Sequence, residues 1–291
     1  MTCGQVGFRL APRLNAAGRM ESAVPGVELL LGSDADESSV IAGELDAANT
    51  ERQNIERGML AEAIEMVERA GDYPLRRSIV LASRSWHQGV AGIVASRVAE
   101  RYYRPTILIA LDDEGNGKGS GRSIPGFHLL EALNSCAEHL DRFGGHRYAA
   151  GIGVTALKFK DFAEAFEKTA VRFLGAAELV PTLDIDVEVC PAEVTLALAA
   201  ELKRMEPFGA GNPEPTLLMR GLKVLERLIV GDGHLKLRLS AEGNTFSAIA
   251  FRQADFVTDG LIDIAFFPEI NVWNNRETLQ LRIKDIRLAE V

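Results

Sequence analysis

A chain of 291 residues exceeds one typical domain, and 47% hydrophobic with 25% charged residues is the balance of a folded globular protein, not of a disordered or fibrous one. Apolar runs such as ILIAL (107–111) fall far short of the roughly 20 residues that cross a bilayer. The net charge of -9 is unevenly spread, at -7 over residues 1–72, +4 over 73–175 and -6 over 176–291, so only the middle segment carries a field that favours an anionic partner.

The opening residues, MTCGQVGFRLAPRL, lack the basic start, apolar middle and small-residue cleavage site of a secretory signal, and the expected location is the cytoplasm. Cys3, Cys136 and Cys190 are widely separated and fit no zinc-binding spacing, so they read as buried free thiols.

Between Asp34 and Ala70, the apolar residues Ile41, Leu45, Ala48, Ile55, Met59, Met66 and Ala70 recur at three-, four- and seven-residue spacings. This predicts a long amphipathic helix, started by Ser33 or Asp34 as N-cap and ended by Gly71-Asp72-Tyr73-Pro74. Gly43 and Gly58 are its weak points. From Ser78 the pattern changes. SIVLAS reads as a strand, GVAGIVASRVAERYY as a helix, PTILIAL as a buried strand and DDEGNG as a turn, with KGSGRSI as a third, antiparallel strand. A helix from about Phe127 to Leu140, a strand at AAGIGV and a helix at FKDFAEAFEKTAVRFL complete an α/β domain with a central sheet. In this reading Gly144-Gly145 cap the preceding helix.

LDIDVEV (183–189) alternates as a half-exposed strand would, and a helix is expected over Pro191–Met205. After the loop EPFGAGNPEP come LKVLERLIV, HLKLRLS, TFSAIAF, IDIAFFP and LQLRIKDI, separated by tight turns. Five such strands suggest a small closed barrel, most commonly an oligonucleotide-binding (OB) barrel.

Three stretches carry candidate chemistry. In KGSGRS (118–123), small residues would let backbone approach a ligand, Ser120 and Ser123 offer hydroxyls, and Arg122 can grip a phosphate; a glycine-rich turn with a solvated arginine is the plain alternative. The spacing is not that of a P-loop. In RFGGHRYAAGIG (142–153), the glycines give access to His146, and Arg142 and Arg147 add positive charge. A surface histidine after a helix end is the plain reading. His87 precedes Gly89 at a helix start, where an anion could bind, or is simply a loop histidine. No metal-spaced cluster, nucleophile elbow or zinc-hydrolase motif is found, and no hydrolytic centre can be assembled.

GFRLAPRLNAAGRM (7–20), SWHQGVAGIVASRVAERYYRPTILIA (85–110), GKGSGRSI (117–124), FGGHRYAAGIGV (143–154) and PFGAGNPEP (207–215) resemble, in order, successive blocks of the RecJ family of bacterial single-stranded-DNA exonucleases, within the DHH phosphoesterase superfamily. The resemblance implies a closing part of a DHH domain at 1–33, a connecting helix at 34–72, an α/β DHHA1 domain with a central sheet at 73–176 and an OB-fold β-barrel at 181–291. It implies 5'-to-3' exonuclease activity in recombination and repair, with Mn2+ or Mg2+ bound by a DHH domain. This sequence contains no Asp-His-His string, so the chain on its own is expected to bind DNA weakly and cut nothing.

By the same resemblance Ser120 and Arg122, with Ser123 beside them, match positions that bind the 5'-phosphate. His146, after Gly144 and Gly145, faces the metals and scissile phosphate as an assisting group. Arg13, Asn15 and Arg19 border the cleft, and His87 joins the DNA-binding set. Single-stranded DNA is the implied partner, with single-stranded-DNA-binding protein or other repair proteins as further ones. A nonenzymatic nucleic-acid or partner-binding module is the alternative. A small-oligonucleotide phosphodiesterase is the third, and it is not expected to carry the barrel.

Overall fold

A computed structural model describes residues 3–176, 178–209, 211–231, 233–256 and 260–289, which fall into two compact units, Met1–Pro181 and Thr182–Val291. No helix among the described residues is long and apolar enough to cross a membrane.

The first unit opens with α1 (Cys3–Gln5), which runs through a π-helical turn at Val6–Leu10 into α2 (Ala11–Met20); α3 (Val24–Leu31) follows. The long helix then forms without a break as α4 (Ala35–Ala70). The Asp34 carboxylate accepts hydrogen bonds from the Asp36 and Glu37 N–H groups, both at 2.9 Å, satisfying two donors that have no partner within the helix. Gly71, at φ +69°, ends it in a left-handed turn that glycine adopts without strain. Gly43 and Gly58 meet nothing and leave the helix intact. The buried stripe differs from the apolar one read from the sequence. It runs Leu45, Asn49, Arg52, Glu56, Met59, Ala63, Val67, and its polar middle is satisfied internally: Arg52 bonds Glu56 and Asn49, and Arg97 reaches Glu56 at 3.1 Å. A buried charge must be paired, and these are.

Beyond α4 lie β1 (Ile79–Ser83), α5 (Gln88–Tyr102), β2 (Thr106–Leu111), β3 (Asn116–Arg122), α6 (Leu129–Asn134), β4 (Arg142–Gly145), β5 (Ala149–Thr155) and α7 (Phe159–Leu174). The sheet order is β1-β2-β3-β5-β4; β1 and β2 run parallel through the α5 crossover, and the other pairings are antiparallel. Ile107, Ile109, Ile152 and Val154 bury one face against α6 and α7, with Phe162 and Phe166 in that core. On the opposite face Leu108 and Ala110 meet Val90, Val94 and Val98 of α5 and Met59, Ala63 and Val67 of α4.

Three expectations are corrected. Of the thiols read as buried only Cys136 is, whereas Cys3 and Cys190 are exposed. The helix expected over Phe127–Leu140 stops at Asn134, and only a 3-10 turn at Ala137–His139 follows. Gly144 and Gly145 consequently cap nothing; they lie in β4, paired with Gly151 and Ala150.

The second unit contains β6 (Val187–Glu188), α8 (Leu196–Lys203), β7 (Leu217–Val230), β8 (His234–Ala241), β9 (Asn244–Ala250), β10 (Ile262–Trp273) and β11 (Arg276–Leu288). Strands β7 to β11 form a closed barrel of OB topology, sealed by β10 against β7 and carrying a parallel β9–β11 pair. Alternation places Leu235, Leu237 and Leu239 inside and Lys236 and Arg238 outside. The LDIDVEV stretch is a strand only at Val187–Glu188, flanked by backbone bonds from the Asp186 N–H to the Thr216 carbonyl and from the Val189 N–H to the Leu218 carbonyl, both at 2.9 Å, while the Asp186 carboxylate accepts from the Thr216 N–H at 2.7 Å. The helix expected from Pro191 is interrupted: a 3-10 turn at Pro191–Glu193 precedes α8, which Thr195 caps by accepting from the Leu198 N–H.

Candidate functional site

Strand register decides which side chains share a face. On β3, Lys118, Ser120 and Arg122 alternate with Gly117, Gly119 and Gly121, and the two sets face opposite ways. The three glycines point into the α6/α7 core. A Cβ on Gly117 would lie 2.7 Å from Ile109 Cγ2, on Gly119 2.6 Å from Ile152 Cγ1 and on Gly121 3.0 Å from Leu129 Cδ2. This corrects the first reading of KGSGRS. Its glycines admit neighbouring isoleucine and leucine side chains, not a ligand; Ser120 and Arg122 occupy the face that α5 only partly covers.

Following the register outward, Ser120 pairs with Gly151 and Gly151 with Gly144; Lys118 pairs with Gly153 and Gly153 with Arg142. Half of this face is therefore bare backbone, fenced by cationic and hydroxyl side chains. Helix α5 borders it closely, since a Cβ on Gly92 would meet both Arg122 Nη2 and Ser120 Oγ at 2.8 Å. Gly92 thus leaves room for that pair.

Arg122 bonds Ser120 Oγ at 3.1 Å and the Gly121 carbonyl at 2.8 Å, and among the described residues it has no carboxylate partner. Burial pushes its pKa down from the usual guanidinium range, and the nearby charge of Arg19 pushes the same way. Arginine stays protonated regardless. The result is a half-buried cation beside a second cation with no counter-charge among the described residues, an arrangement an anion would relieve. Arg19 arrives through a tight helix contact: a Cβ on Gly89 would fall 2.0 Å from the Arg19 carbonyl oxygen, and Arg19 Nη1 reaches the Gly89 carbonyl at 3.4 Å.

His87 caps α5, its Nδ1 accepting from the Gly89 N–H at 3.2 Å, so this helix start is already partly occupied. The acceptor role of Nδ1 in the neutral ring places the proton on Nε2, a donor with no partner among the described residues.

The second candidate motif sits at the tip of the β4–β5 hairpin. His146 is exposed and its backbone N–H donates to the Ala149 carbonyl at 2.8 Å. Gly145, at φ +151°, is required twice over, by its backbone angle and because a Cβ would stand 2.4 Å from the Ala149 oxygen. The tip is tied to the end of the β3 motif: the Ser123 N–H donates to the Tyr148 carbonyl at 3.0 Å and the Leu129 N–H to the Arg147 carbonyl at 2.9 Å. Ser123 Oγ is committed to the Phe127 carbonyl at 2.8 Å.

The candidates thus separate into groups. Arg19, His87, Ser120 and Arg122 converge where α2, α5 and β3 meet, while Gly144, Gly145 and His146 lie across β5 on the hairpin. Arg13 is held by Asp46 of α4 at 2.7 Å and by the Arg9 carbonyl; Asn15 is exposed on α2. Gly92 and Gly153 were not singled out by sequence, although the small-residue spacing of GVAG and AAGIG was the available signal.

The manganese or magnesium implied by the resemblance finds no donor set: among the described residues, no three His, Cys, Asp or Glu side chains converge. These residues offer hydrogen bonds and positive charge to an anion.

Comparison with known proteins identifies the two domains. The DHHA1 domain family matches residues 77–172 and the RecJ OB domain family residues 185–285. The single-stranded-DNA-specific exonuclease RecJ of Bacillus subtilis (strain 168) is 38% identical over 98% of this chain and 37% of its own length; that of Escherichia coli (strain K12) is 37% identical over 98% and 52%. The crystal structure of RecJ in complex with Mn2+ from Thermus thermophilus superposes with a TM-score of 0.87 at 33% identity, over 100% of this chain and 42% of that one. The chain spans about half or less of the length of the curated relatives it matches. With the DHHA1 and RecJ OB domains in order and similarity along nearly all of its residues, the chain belongs to the RecJ family.

Proposed function

We propose that this chain is the strand-holding part of a 5'-to-3' single-stranded-DNA exonuclease that works in DNA recombination and repair, and that Arg122, Ser120 and Arg19 seat the 5'-phosphate. The observation that carries the reading is the half-buried Arg122, backed by Arg19 and without an acidic partner among the described residues. Arg122 would supply two parallel donors to phosphate oxygens and Ser120 a hydroxyl. The bare Gly151 and Gly144 would let the strand lie against the sheet. His146 would stand at the far wall, where its imidazole meets the scissile phosphate, and His87 Nε2–H would add a donor beside α5.

Among the described residues no three His, Cys, Asp or Glu side chains converge; in this reading the chain binds and orients the strand, and a metal-bearing domain activates the nucleophile. Purified 291-residue protein is expected to release no nucleotide from a labelled single strand in manganese, whereas measurable release would overturn this part of the reading. Binding is tested by anisotropy of a 5'-phosphorylated single strand across a salt series. Arg122→Ala should weaken it about tenfold, roughly 1.4 kcal/mol, with a shallower salt dependence, and His146→Ala several-fold. Indifference to both would overturn the phosphate seat.

One observation favours a further role for the barrel. Trp273 is 74% exposed at the β10–β11 turn beside the exposed Val272, in a segment of net charge -6. An acidic surface repels DNA, so this hairpin suits a protein partner, such as single-stranded-DNA-binding protein or another repair protein, better than a bare strand.

A further inference from the structure

We infer that the first unit carries a second anion subsite, formed by Lys118 and Arg142 over Gly153, which takes another phosphate of the strand seated at Ser120–Arg122. This rests on the phosphate seat proposed above and extends it along β3.

The register fixes the arrangement. Lys118, Gly153 and Arg142 form one row across three adjacent strands, so the two cations stand two strand spacings apart, about 9–10 Å between backbones, with a glycine between them. The Arg142 side chain already leans over that glycine; a Cβ on Gly153 would lie 2.8 Å from Arg142 Cγ and 3.0 Å from Nε. Any larger residue at 153 would push the guanidinium away from Lys118. The row opens into a cavity of about 620 Å3, walled by Trp86, His87, Asp112, Asn116 and Asp141 as well as the two cations.

Charge accounting favours an anion there. Of the two acids on the wall, Asp141 pairs with Lys158 at 2.8 Å, while Asp112 keeps its charge as it accepts from the Asn116 backbone N–H at 2.7 Å and from Asn116 Nδ2 at 3.1 Å, so one positive charge is left in excess. Lys118 and Arg142 form no ion pair among the described residues. His87, whose Nδ1 is used by the Gly89 N–H, adds an Nε2–H donor to the same wall. Lys118, Arg142 and an imidazole N–H facing one space, with one positive charge in excess, suit a phosphodiester more than a neutral base.

The distance also fits. Same-face neighbours on a strand are about 7 Å apart, so Lys118 lies one such step from Ser120. That step is on the scale of the separation between successive phosphates in an extended single strand. A terminal phosphate at Ser120–Arg122 and another at Lys118–Arg142 would fix both the polarity of the strand and its register.

The test compares binding of thymidine 5'-monophosphate, 5'-phosphorylated dithymidine and a longer 5'-phosphorylated oligothymidine to the full chain and to Lys118→Ala, Arg142→Ala and Arg122→Ala. Lys118→Ala and Arg142→Ala should leave the mononucleotide unchanged and weaken the dinucleotide and longer strand five- to tenfold, with the salt slope falling by about one per cation removed. Gly153→Val, which displaces Arg142 without removing it, should reproduce the Arg142→Ala pattern if circular dichroism shows the fold intact. The inference is overturned if the two alanine variants bind all three ligands as the parent does, or weaken all three alike. Arg122→Ala separates the two readings, because unaltered mononucleotide binding in that variant would defeat the phosphate seat itself.

Discussion

At the scale of single residues, the site depends on what glycines leave out. Gly92 is the sharpest case. Alanine there would bring a methyl to 2.8 Å from Arg122 Nη2 and Ser120 Oγ, both at movable ends of side chains, while helix propensity favours alanine by about 1 kcal/mol. Gly92→Ala should therefore keep or slightly raise the melting temperature yet weaken binding of a 5'-phosphorylated strand about tenfold. A variant that bound like the parent would show that Arg122 need not hold its observed position. The sequence made Ser120, Arg122 and His146 legible through the resemblance of their blocks. It did not reveal the division of labour inside KGSGRS, because alternation along a strand assigns a face only once the neighbouring strands are known. Nor could it show that Ser123 spends its hydroxyl on the Phe127 carbonyl.

At the scale of elements, α4 and the sheet are joined by polar contacts that respond to pH. The Tyr102 hydroxyl at the end of α5 donates to Glu68 of α4 at 2.7 Å; burial, then the bond and negative charge of Glu68, push its pKa up to about 12. The folded state thus prefers the neutral phenol. Its contribution to stability is complete below the unfolded value near 10 and is lost as pH rises from there through about 12. Tyr102→Phe should lower stability near neutrality by about 1 kcal/mol and show a smaller loss than the parent between pH 10 and 12, measured by urea unfolding. Equal alkaline losses in both proteins would assign the effect to another group. Glu62 of α4 is a second tie. It accepts from Ser83, Ser85 and the Trp86 indole, and although burial alone would raise its pKa, the three bonds hold it below the usual carboxylate range.

Among the elements, α4 was readable because its caps and periodicity agree over 36 residues, and β1, α5, β2 and the barrel strands because hydrophobic period and turn residues coincide. The misreadings at α6, β4, β6 and α8 share a cause. Each is a short stretch whose local pattern suits two structures, and tertiary partners decide between them: Gly151 and Ala150 draw Gly144 and Gly145 into a strand, and Thr195 restarts a helix the apolar pattern had run together.

At the scale of the molecule, the two units have separate cores. One comprises the sheet of the first unit and its helices; the other is closed around Leu222, Leu235, Ile264, Phe266 and Leu281 within the barrel. Residues 182–291 made alone should therefore unfold in a single cooperative transition monitored by circular dichroism; a broad, non-cooperative loss of signal would mean that the barrel core is not self-sufficient. The charge division follows the same lines. The positive middle segment holds Lys118, Arg122, Arg142 and Arg147, while the barrel segment is net acidic. The proposed strand holding accordingly falls to the sheet face of the first unit.

The most direct measurement is the affinity of the 291-residue chain for two single strands of the same sequence, one ending in a 5'-phosphate and one in a 5'-hydroxyl. A terminal phosphate seated on Arg122, Ser120 and Arg19 should bind at least about tenfold more tightly than the hydroxyl end, roughly 1.4 kcal/mol, and Arg122→Ala should erase the difference. Equal affinity of the parent chain for both strands would contradict the phosphate seat and leave Arg122 without its proposed ligand.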